Sequence, residues 1–255
     1  MMPSLPIVGI GASAGGVEAL EQFFKSLPPD NGLAFVVITH LPPDRDRMLA
    51  EILGRATRMQ VVDARDGDRV EAERVYVLPP SAILTHEARL QLRRTGPTDR
   101  ERAPINVFFD SLAEDQGEHA IGIVLSGAGH DGTLGLKAIK EHGGLTIAQG
   151  TNLTRPRFAE MPSSAVAAGI VDLELPVDLI PERMIGYVRN WGAFDAEPRG
   201  DALTTIYALL RTRTGHDFSE YKDLTFQRRI QRRMQVVQTT KLEDYAALLK
   251  STKLR

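Results

Sequence analysis

LPIVGIGASAGGVEALEQFFKSL, residues 5–27, predicts a buried strand, a tight turn and a helix in succession. The run at 5–10 is short and apolar, which is typical of a buried strand. The next residues, from Gly11 to Gly15, fit the G-x-S-x-G pattern, in which a serine occupies a sharp strand-to-helix turn. Apolar residues then recur at helical spacing up to Leu27. The stretch therefore predicts an α/β fold that presents Ser13 at a turn, next to the free N–H groups of a helix N-terminus.

The same glycines allow a second interpretation, a dinucleotide-binding loop formed by Gly9, Gly11 and the glycines that follow. Such a loop normally has an acidic residue at the end of the second strand, where it binds the ribose. Here the second strand candidate, LAFVVITH, ends in His40, and no acid follows before Asp44. A third interpretation is a plain turn in which the serine is incidental. The turn alone leaves all three open.

Composition limits the class of protein. The chain has 255 residues, of which 42% are hydrophobic and 25% charged, and this suits one large globular domain or one plus a small one. It contains no cysteine, which excludes disulfides, thiolate metal sites and cysteine nucleophiles. No apolar run approaches the length of a membrane span and no signal peptide is recognisable, so we expect a cytoplasmic protein without membrane insertion.

Charge is distributed unevenly along the chain. The formal net charge of −2 argues against a general nucleic-acid binder. Residues 211–255 nevertheless hold eleven Lys or Arg and five Asp or Glu, a net of +6, which leaves −8 for residues 1–210. This asymmetry predicts two units with different partners.

Strand and helix patterns alternate up to about residue 190, which predicts a doubly wound, mostly parallel sheet with helices on both faces. The predicted strands are 5–10, 33–39, 74–78, 121–126, 144–148 and 170–175. The predicted helices are 16–27, 46–57, 105–117, 132–142 and 162–168. Residues 89–98 are polar and contain a Gly-Pro turn, so they predict a hairpin end or a surface loop.

The pattern changes after Trp191. We predict an α/β domain at 1–192, a linker at 193–201 and a small all-α domain at 202–255, with helices at 202–213, 218–237 and 242–249. So few large apolar residues in about 50 make a thin core, which is typical of a fragment of a larger domain.

Three polar residues follow predicted strands and make a candidate catalytic set. Ser13 follows the first strand, His40 ends the second, and Asp131 lies just after the strand at 121–126. Ligands of open parallel sheets bind at the carboxyl ends of the strands, so neighbouring strands would bring the three together. Taken singly, the histidine could be structural and Asp131 could be the N-cap of the helix at 132–142. The chain order Ser, His, Asp differs from that of ordinary α/β-hydrolases.

Five motifs together resemble the catalytic domain of chemotaxis protein-glutamate methylesterase, CheB. They are GASAGG at 11–16, THLPPD at 39–44, VYVLPP at 75–80, the long LAEDQGEHAIGIVLSGAGHDGTLGLKAIKEHGG at 112–144, and EMPSSAVAAGIVD at 160–172. The resemblance implies a triad of Ser13, His40 and Asp131 that hydrolyses glutamyl γ-methyl esters on chemoreceptors and releases methanol, without a cofactor or metal. It also implies deamidation of receptor glutamines as a possible second activity.

The resemblance places the oxyanion and substrate loop at Ala14, Gly127, Ala128 and Gly129. Two positions depart from the family pattern: Ala14 stands where threonine is common, and Ala128 stands where methionine is common. We expect backbone N–H groups, rather than these side chains, to stabilise the oxyanion. Members of the family usually carry an N-terminal receiver domain. This sequence starts four residues before the first strand, so we do not expect phosphorylation in cis to gate the site.

A second resemblance covers residues 214–249, which are similar to the N-terminal helical domain of the chemotaxis methyltransferase, CheR. The chain thus resembles the start of a CheB–CheR fusion that stops before the S-adenosylmethionine-binding domain, so we expect no methyltransferase activity. Two pairs of arginines, each with a spacing of four residues, predict a positive stripe on one helix. The pairs are Arg228 with Arg232 and Arg229 with Arg233. The resemblance implies that this helix faces the acidic methylation region of a receptor.

The predicted function is therefore a methylesterase in sensory adaptation, with chemoreceptors and other two-component signalling proteins as partners. The competing hypothesis is a non-catalytic scaffold that keeps the fold as a receptor-docking module. A basic stripe without interleaved aromatic residues does not favour nucleic acid as its partner.

Overall fold

A computed structural model describes residues 5–40, 43–79, 82–85, 87–92, 103–150, 155–191, 201–216, 218 and 223–251, with the backbone alone at 43–47, 82, 85, 201, 223–225 and 228. The described chain divides into two compact units after Arg183. The sequence placed the division at residue 192. The predicted linker lies almost entirely outside the described residues.

The first unit is built on a parallel sheet of seven strands: β1 (Ile7–Ala12), β2 (Ala34–Thr39), β3 (Gln60–Asp63), β4 (Arg74–Leu78), β7 (Ala120–Val124), β8 (Leu145–Gln149) and β9 (Leu173–Leu175). Their order in the sheet is β3-β4-β2-β1-β7-β8-β9. A separate antiparallel hairpin consists of β5 (Ala82–Thr85) and β6 (Arg89–Leu92). The predicted doubly wound parallel sheet is confirmed, and the start of the stretch at 89–98 is one strand of this hairpin.

Helices cover both faces of the sheet. In this unit they are α1 (Gly16–Lys25), α2 (Pro43–Ala56), α3 (Pro104–Gln116), α4 (Thr133–Glu141), α5 (Glu160–Ala167) and α6 (Ile180–Arg189), the last of which crosses the division between the units. Strand β1 is apolar and buried along its whole length, as expected for the centre of a parallel sheet. On one face, Phe23 and Phe24 of α1 contact Phe35 of β2 edge to face, with ring centroids 5.9 and 5.6 Å away.

The other face holds a large hydrophobic core, in which α3, α4 and α5 pack on the sheet. Two glycines inside β1 allow α3 to approach closely. A Cβ at Gly9 would lie 2.9 Å from the ring of Phe109, and one at Gly11 would collide with Ile105. These glycines are therefore explained by helix packing, which removes the main support for a dinucleotide-binding loop.

The second unit contains three further helices, α7 (Asp201–Thr214), α8 (Asp223–Val236) and α9 (Leu242–Ser251). Their small core is formed by Leu203, Ile206, Phe226, Ile230, Met234, Tyr245, Ala246 and Leu249. The rings of Tyr207 and Phe218 stack on Phe226 at centroid distances of 5.1 Å. None of the described helices is both long enough and apolar enough to cross a membrane.

Candidate active site

The sheet topology brings the three predicted catalytic positions together. Strand β1 pairs with β2 on one side and with β7 on the other, so the strands that precede Ser13, His40 and Asp131 are neighbours. Ala12 is in register with Thr39, and the serine and the histidine follow these two residues directly. The strands that follow β1 in sequence, from β2 to β4, lie on one side of it in the sheet, and β7, β8 and β9 lie on the other side. The set therefore lies at the topological switch point, where open α/β sheets bind ligands.

Ser13 lies on the turn between β1 and α1. The turn is closed by a hydrogen bond from the Gly16 N–H to the Ser13 carbonyl at 2.8 Å. Gly15 is the N-cap of α1 and has φ +68°, a left-handed conformation that glycine adopts without strain. A Cβ there would also lie 2.8 Å from that of Arg157. The G-x-S-x-G pattern therefore reflects a strand-to-helix turn with close approach of a second loop.

His40 and Asp131 are directly hydrogen bonded, with Nε2 of the ring 2.8 Å from the carboxylate. Because the carboxylate is an acceptor, Nε2 carries the proton in the neutral ring, and Nδ1 is left with a lone pair. In the familiar serine-protease arrangement these two nitrogens have the opposite roles. The side chain of His40 is 32% exposed, so the ring is partly accessible from solvent.

The carboxylate of Asp131 is held by the N-terminus of α3. One oxygen accepts the N–H of Ile105 at 3.0 Å together with the histidine, and the other accepts Asn106 at 3.0 Å and Gly132 at 2.8 Å. Asp131 is not the N-cap of α4, because that position is Gly132, which makes no side-chain capping bond. The carboxylate instead satisfies N–H groups in the first turn of α3, where the helix dipole also favours negative charge.

These contacts keep Asp131 ionised. Burial alone would raise the pKa of the carboxyl, but the hydrogen bonds from His40, Ile105 and Asn106 and the charge of the histidine lower it below its usual value of 3.8. Asp131 is only 7% exposed. A permanently charged acceptor is what a catalytic histidine needs to keep one tautomer and to stabilise its protonated form.

The amides of the oxyanion and substrate loop differ in availability. The Gly127 N–H donates to the carbonyl of Phe158 at 3.0 Å, and the Gly129 N–H donates to the carboxylate of Glu160 at 2.8 Å. For Ala14 and Ala128, the described residues provide no acceptor. These two amides are therefore the ones that can turn toward a substrate oxygen without breaking an existing bond. The sequence analysis did not identify Glu160 as a site residue. The signal that could have found it is its position as the first residue of the EMPSSAVAAGIVD motif, one of the five motifs that carry the family resemblance.

Among the described residues, Ser13 makes no side-chain hydrogen bond to His40. The two lie at neighbouring strand ends, and catalytic hydrogen bonds are often long before substrate is bound. His130, the other histidine at a strand end, is exposed. No group of three or more metal-ligating side chains is found in the described ranges.

The predicted basic stripe lies on α8 in the second unit. Arg229 and Arg233 are exposed, and Arg232 is half-buried. The side chain of Arg228 lies outside the described set. Burial raises the pKa of the Tyr245 hydroxyl, and the positive charge of Arg233 partly offsets this increase.

Comparisons with known proteins identify the family. The family model for CheB methylesterase matches residues 8–184. The chain belongs to the CheB methylesterase family. A second model, the all-alpha domain of CheR methyltransferase, matches residues 201–254. The catalytic domain of the CheB methylesterase of Thermotoga maritima is similar in structure, with a TM-score of 0.65 and 31% identity over 71% of this chain and 98% of that one.

Several relatives in sequence are named as methylesterases. A protein-glutamate methylesterase/protein-glutamine glutaminase of Pectobacterium atrosepticum is 32% identical over 74% of this chain and 54% of its own length. One from Anaeromyxobacter dehalogenans is 37% identical over 70% of this chain and 52% of its own length. A 104.1 kDa protein of Rhodobacter capsulatus is 34% identical over 79% of this chain and 24% of its own length. The chain thus spans about half the length of its methylesterase relatives.

Proposed function

We propose that this chain is a serine methylesterase that hydrolyses glutamyl γ-methyl esters on chemoreceptors during sensory adaptation. The observation that carries the proposal is the His40–Asp131 pair at 2.8 Å, anchored on the N-terminus of α3 and next to the strand that ends before Ser13. A serine is a useful nucleophile only beside a base, and a base is effective only when a third group orients it. The named relatives are methylesterases, which supports the ester as the substrate class.

The reaction proceeds in two steps. The hydroxyl oxygen of Ser13 attacks the ester carbonyl and forms a C–O bond, while its proton passes to Nδ1 of His40. The negative oxygen of the tetrahedral intermediate accepts the N–H groups of Ala14 and Ala128. The C–O bond to the methoxy group then breaks, and the histidine returns its proton to the leaving oxygen, so that methanol departs.

Water completes the cycle. The glutamyl group is now esterified to Ser13, and His40 takes a proton from a water molecule that attacks the same carbonyl. As the second intermediate collapses, the histidine returns its proton to the Ser13 oxygen and restores the hydroxyl. The product is a glutamic acid side chain, which releases its proton to solvent and leaves as the carboxylate. Three side chains supply the nucleophile, the base and its orienting charge, so the mechanism as proposed needs no metal or organic cofactor. The same steps release ammonia from a glutamine side chain, and deamidation is part of the proposal.

The second unit is proposed to bind the receptor. The exposed arginines of α8 fit an acidic partner, and the match to the CheR all-alpha domain supports this role. Deleting residues 200–255 should then change the rate on the receptor and leave the rate on a small ester unaltered. Equal changes on both substrates would contradict the idea.

Methanol release from methylated receptor by this chain and by Ser13→Ala tests the main proposal. We expect release by the parent chain and a loss of about a thousandfold or more in the variant, as for other serine nucleophiles. Binding of the receptor without any methanol release by the parent chain would refute the esterase and favour a docking scaffold.

A further inference from the structure

Ser126 follows β7 and uses every polar group that it has. It is 1% exposed. Its carbonyl accepts the Ser13 N–H at 3.0 Å, and its own N–H donates to the side chain of Gln149 at 2.9 Å. Its hydroxyl donates to the carbonyl of Ala14 at 2.9 Å and accepts the N–H of Phe158 at 3.0 Å. One buried side chain therefore joins the nucleophile turn to the loop that precedes α5.

These bonds fix the peptide planes of the nucleophile turn. In a trans peptide the N–H points opposite to the C=O of the same unit. The Ala14 carbonyl points to Ser126, so the Gly15 N–H points away from it. The Ser13 carbonyl accepts the Gly16 N–H. Because the Ser13 C=O and the Ala14 N–H belong to one peptide unit, this bond also fixes the direction of the Ala14 N–H. The orientation of a proposed oxyanion donor thus depends on a turn that the Ser126 hydroxyl holds at one end.

The loop on the other side of the hydroxyl is tied to the second proposed donor. Residues 157–161, called the strap here, exchange two backbone hydrogen bonds with Gly127: its N–H donates to Phe158 and its carbonyl accepts the N–H of Met161, each at 3.0 Å. Glu160 in the strap also binds the N–H of Gly129. Ala128 lies between these two glycines, so the strap holds the segment that carries its amide.

We infer that Ser126 is a positioning residue that sets the spacing between the Ala14 and Ala128 amides. This inference rests on the proposed function, since an oxyanion hole matters only if the site hydrolyses an acyl group. In Ser126→Ala the Ala14 carbonyl and the Phe158 N–H lose their shared partner. The turn and the strap can then shift independently, and oxyanion donors work only near their productive positions.

The test compares Ser126→Ala with Ser164→Ala as a matched control. Ser164 on α5 has a hydroxyl that bonds to Thr133 at 3.1 Å, and among the described residues it makes no hydrogen bond to the nucleophile turn. For a small ester we expect kcat to fall about 10- to 100-fold in Ser126→Ala, with KM changed less than about threefold. We also expect a boronic acid that mimics the tetrahedral intermediate to bind more weakly by a similar factor. Ser164→Ala should leave all three quantities near those of the parent chain.

Amide hydrogen exchange supplies a readout that does not depend on turnover. In Ser126→Ala the Phe158 N–H should exchange faster, and exchange at Ser13 should also rise as the turn loosens. A kcat within about twofold of the parent value, or unaltered exchange at both amides, would overturn the inference. A parent chain that hydrolyses neither ester nor receptor would refute the proposed function, and the exchange data would still decide whether Ser126 holds the turn.

Discussion

Replacing Asp131 by asparagine should separate the chemistry of the site from its stability. The two carboxylate oxygens accept four N–H groups, from His40, Ile105, Asn106 and Gly132. An asparagine amide can accept at only one of these two places and presents N–H groups at the other. In either orientation, two of the four N–H groups therefore face the NH2 group of the asparagine instead of an acceptor.

The two orientations have different costs. If the NH2 group faces Asn106 and Gly132, two backbone N–H groups are buried without a partner. If it faces His40 and Ile105, only the second is orphaned, because the histidine can move its proton from Nε2 to Nδ1 and accept. Each orphaned donor costs about 1–3 kcal/mol, so the second orientation is favoured by about that amount. With one orphaned donor in the favoured orientation, we expect a net destabilisation of about 1–3 kcal/mol.

The favoured orientation disables the base. With its proton on Nδ1, the histidine cannot accept the proton of Ser13, and we expect kcat on a small ester to fall about 10³- to 10⁴-fold, the size seen when a triad aspartate is replaced in this manner. Initial rates at 25 °C and urea unfolding measure the two effects. Asp172→Asn is the control, because its buried carboxylate bonds to Lys140 and Thr146 away from the triad. A variant at 131 that keeps kcat within tenfold of the parent, or an equal loss of kcat at 172, would refute the reasoning.

Two further predictions follow from the same region. Gly15→Ala should lower the free energy of unfolding, measured in urea, by about 2 kcal/mol more than Gly67→Ala. Both glycines have positive φ, but only a Cβ at position 15 would have a neighbour, Arg157, within 3 Å. Equal losses would contradict the close contact. The free energy of unfolding should fall as pH drops through about 3.8 and below. The pKa of Asp131 is lower in the folded protein than in the unfolded chain, so the carboxylate stabilises the fold above the unfolded-state pKa, and this contribution is lost when the carboxylate is protonated in the folded state. Asp131→Asn should flatten this part of the pH–stability curve, and an unaltered curve would count against the prediction.

Residues with a strong local pattern could be placed from the sequence. Strands β1, β2 and β7 are continuous apolar runs, and the polar residues that follow them had only to be brought to one edge of a parallel sheet. Their adjacency was an assumption in the sequence and is a finding in the structure. The resemblance added the chemistry, which the spacing alone left open among three interpretations.

Weakly patterned elements were missed. Strand β3 has only four residues, and both its ends are exposed because it forms the edge of the sheet, so no alternation identifies it. Helix α6 was also missed, although Ile180, Met184 and Tyr187 are buried at helical spacing. The partners of Asp131 could not be predicted at all, since its hydrogen bonds to α3 join residues 25 and 26 positions apart.

The inverted imidazole also determines which chemical mark an inhibitor would leave. The nitrogen bonded to Asp131 is Nε2, the one farther from the main chain. In the proposed mechanism the nitrogen that faces the acyl group is therefore Nδ1, the one nearer the β-carbon. An electrophilic ester analogue that alkylates the base from the substrate pocket should therefore give the Nδ1-alkyl isomer of histidine at position 40. The Nε2 isomer would instead indicate the serine-protease arrangement of the two ring nitrogens, and the two products are distinguishable by the chemical shifts of the ring.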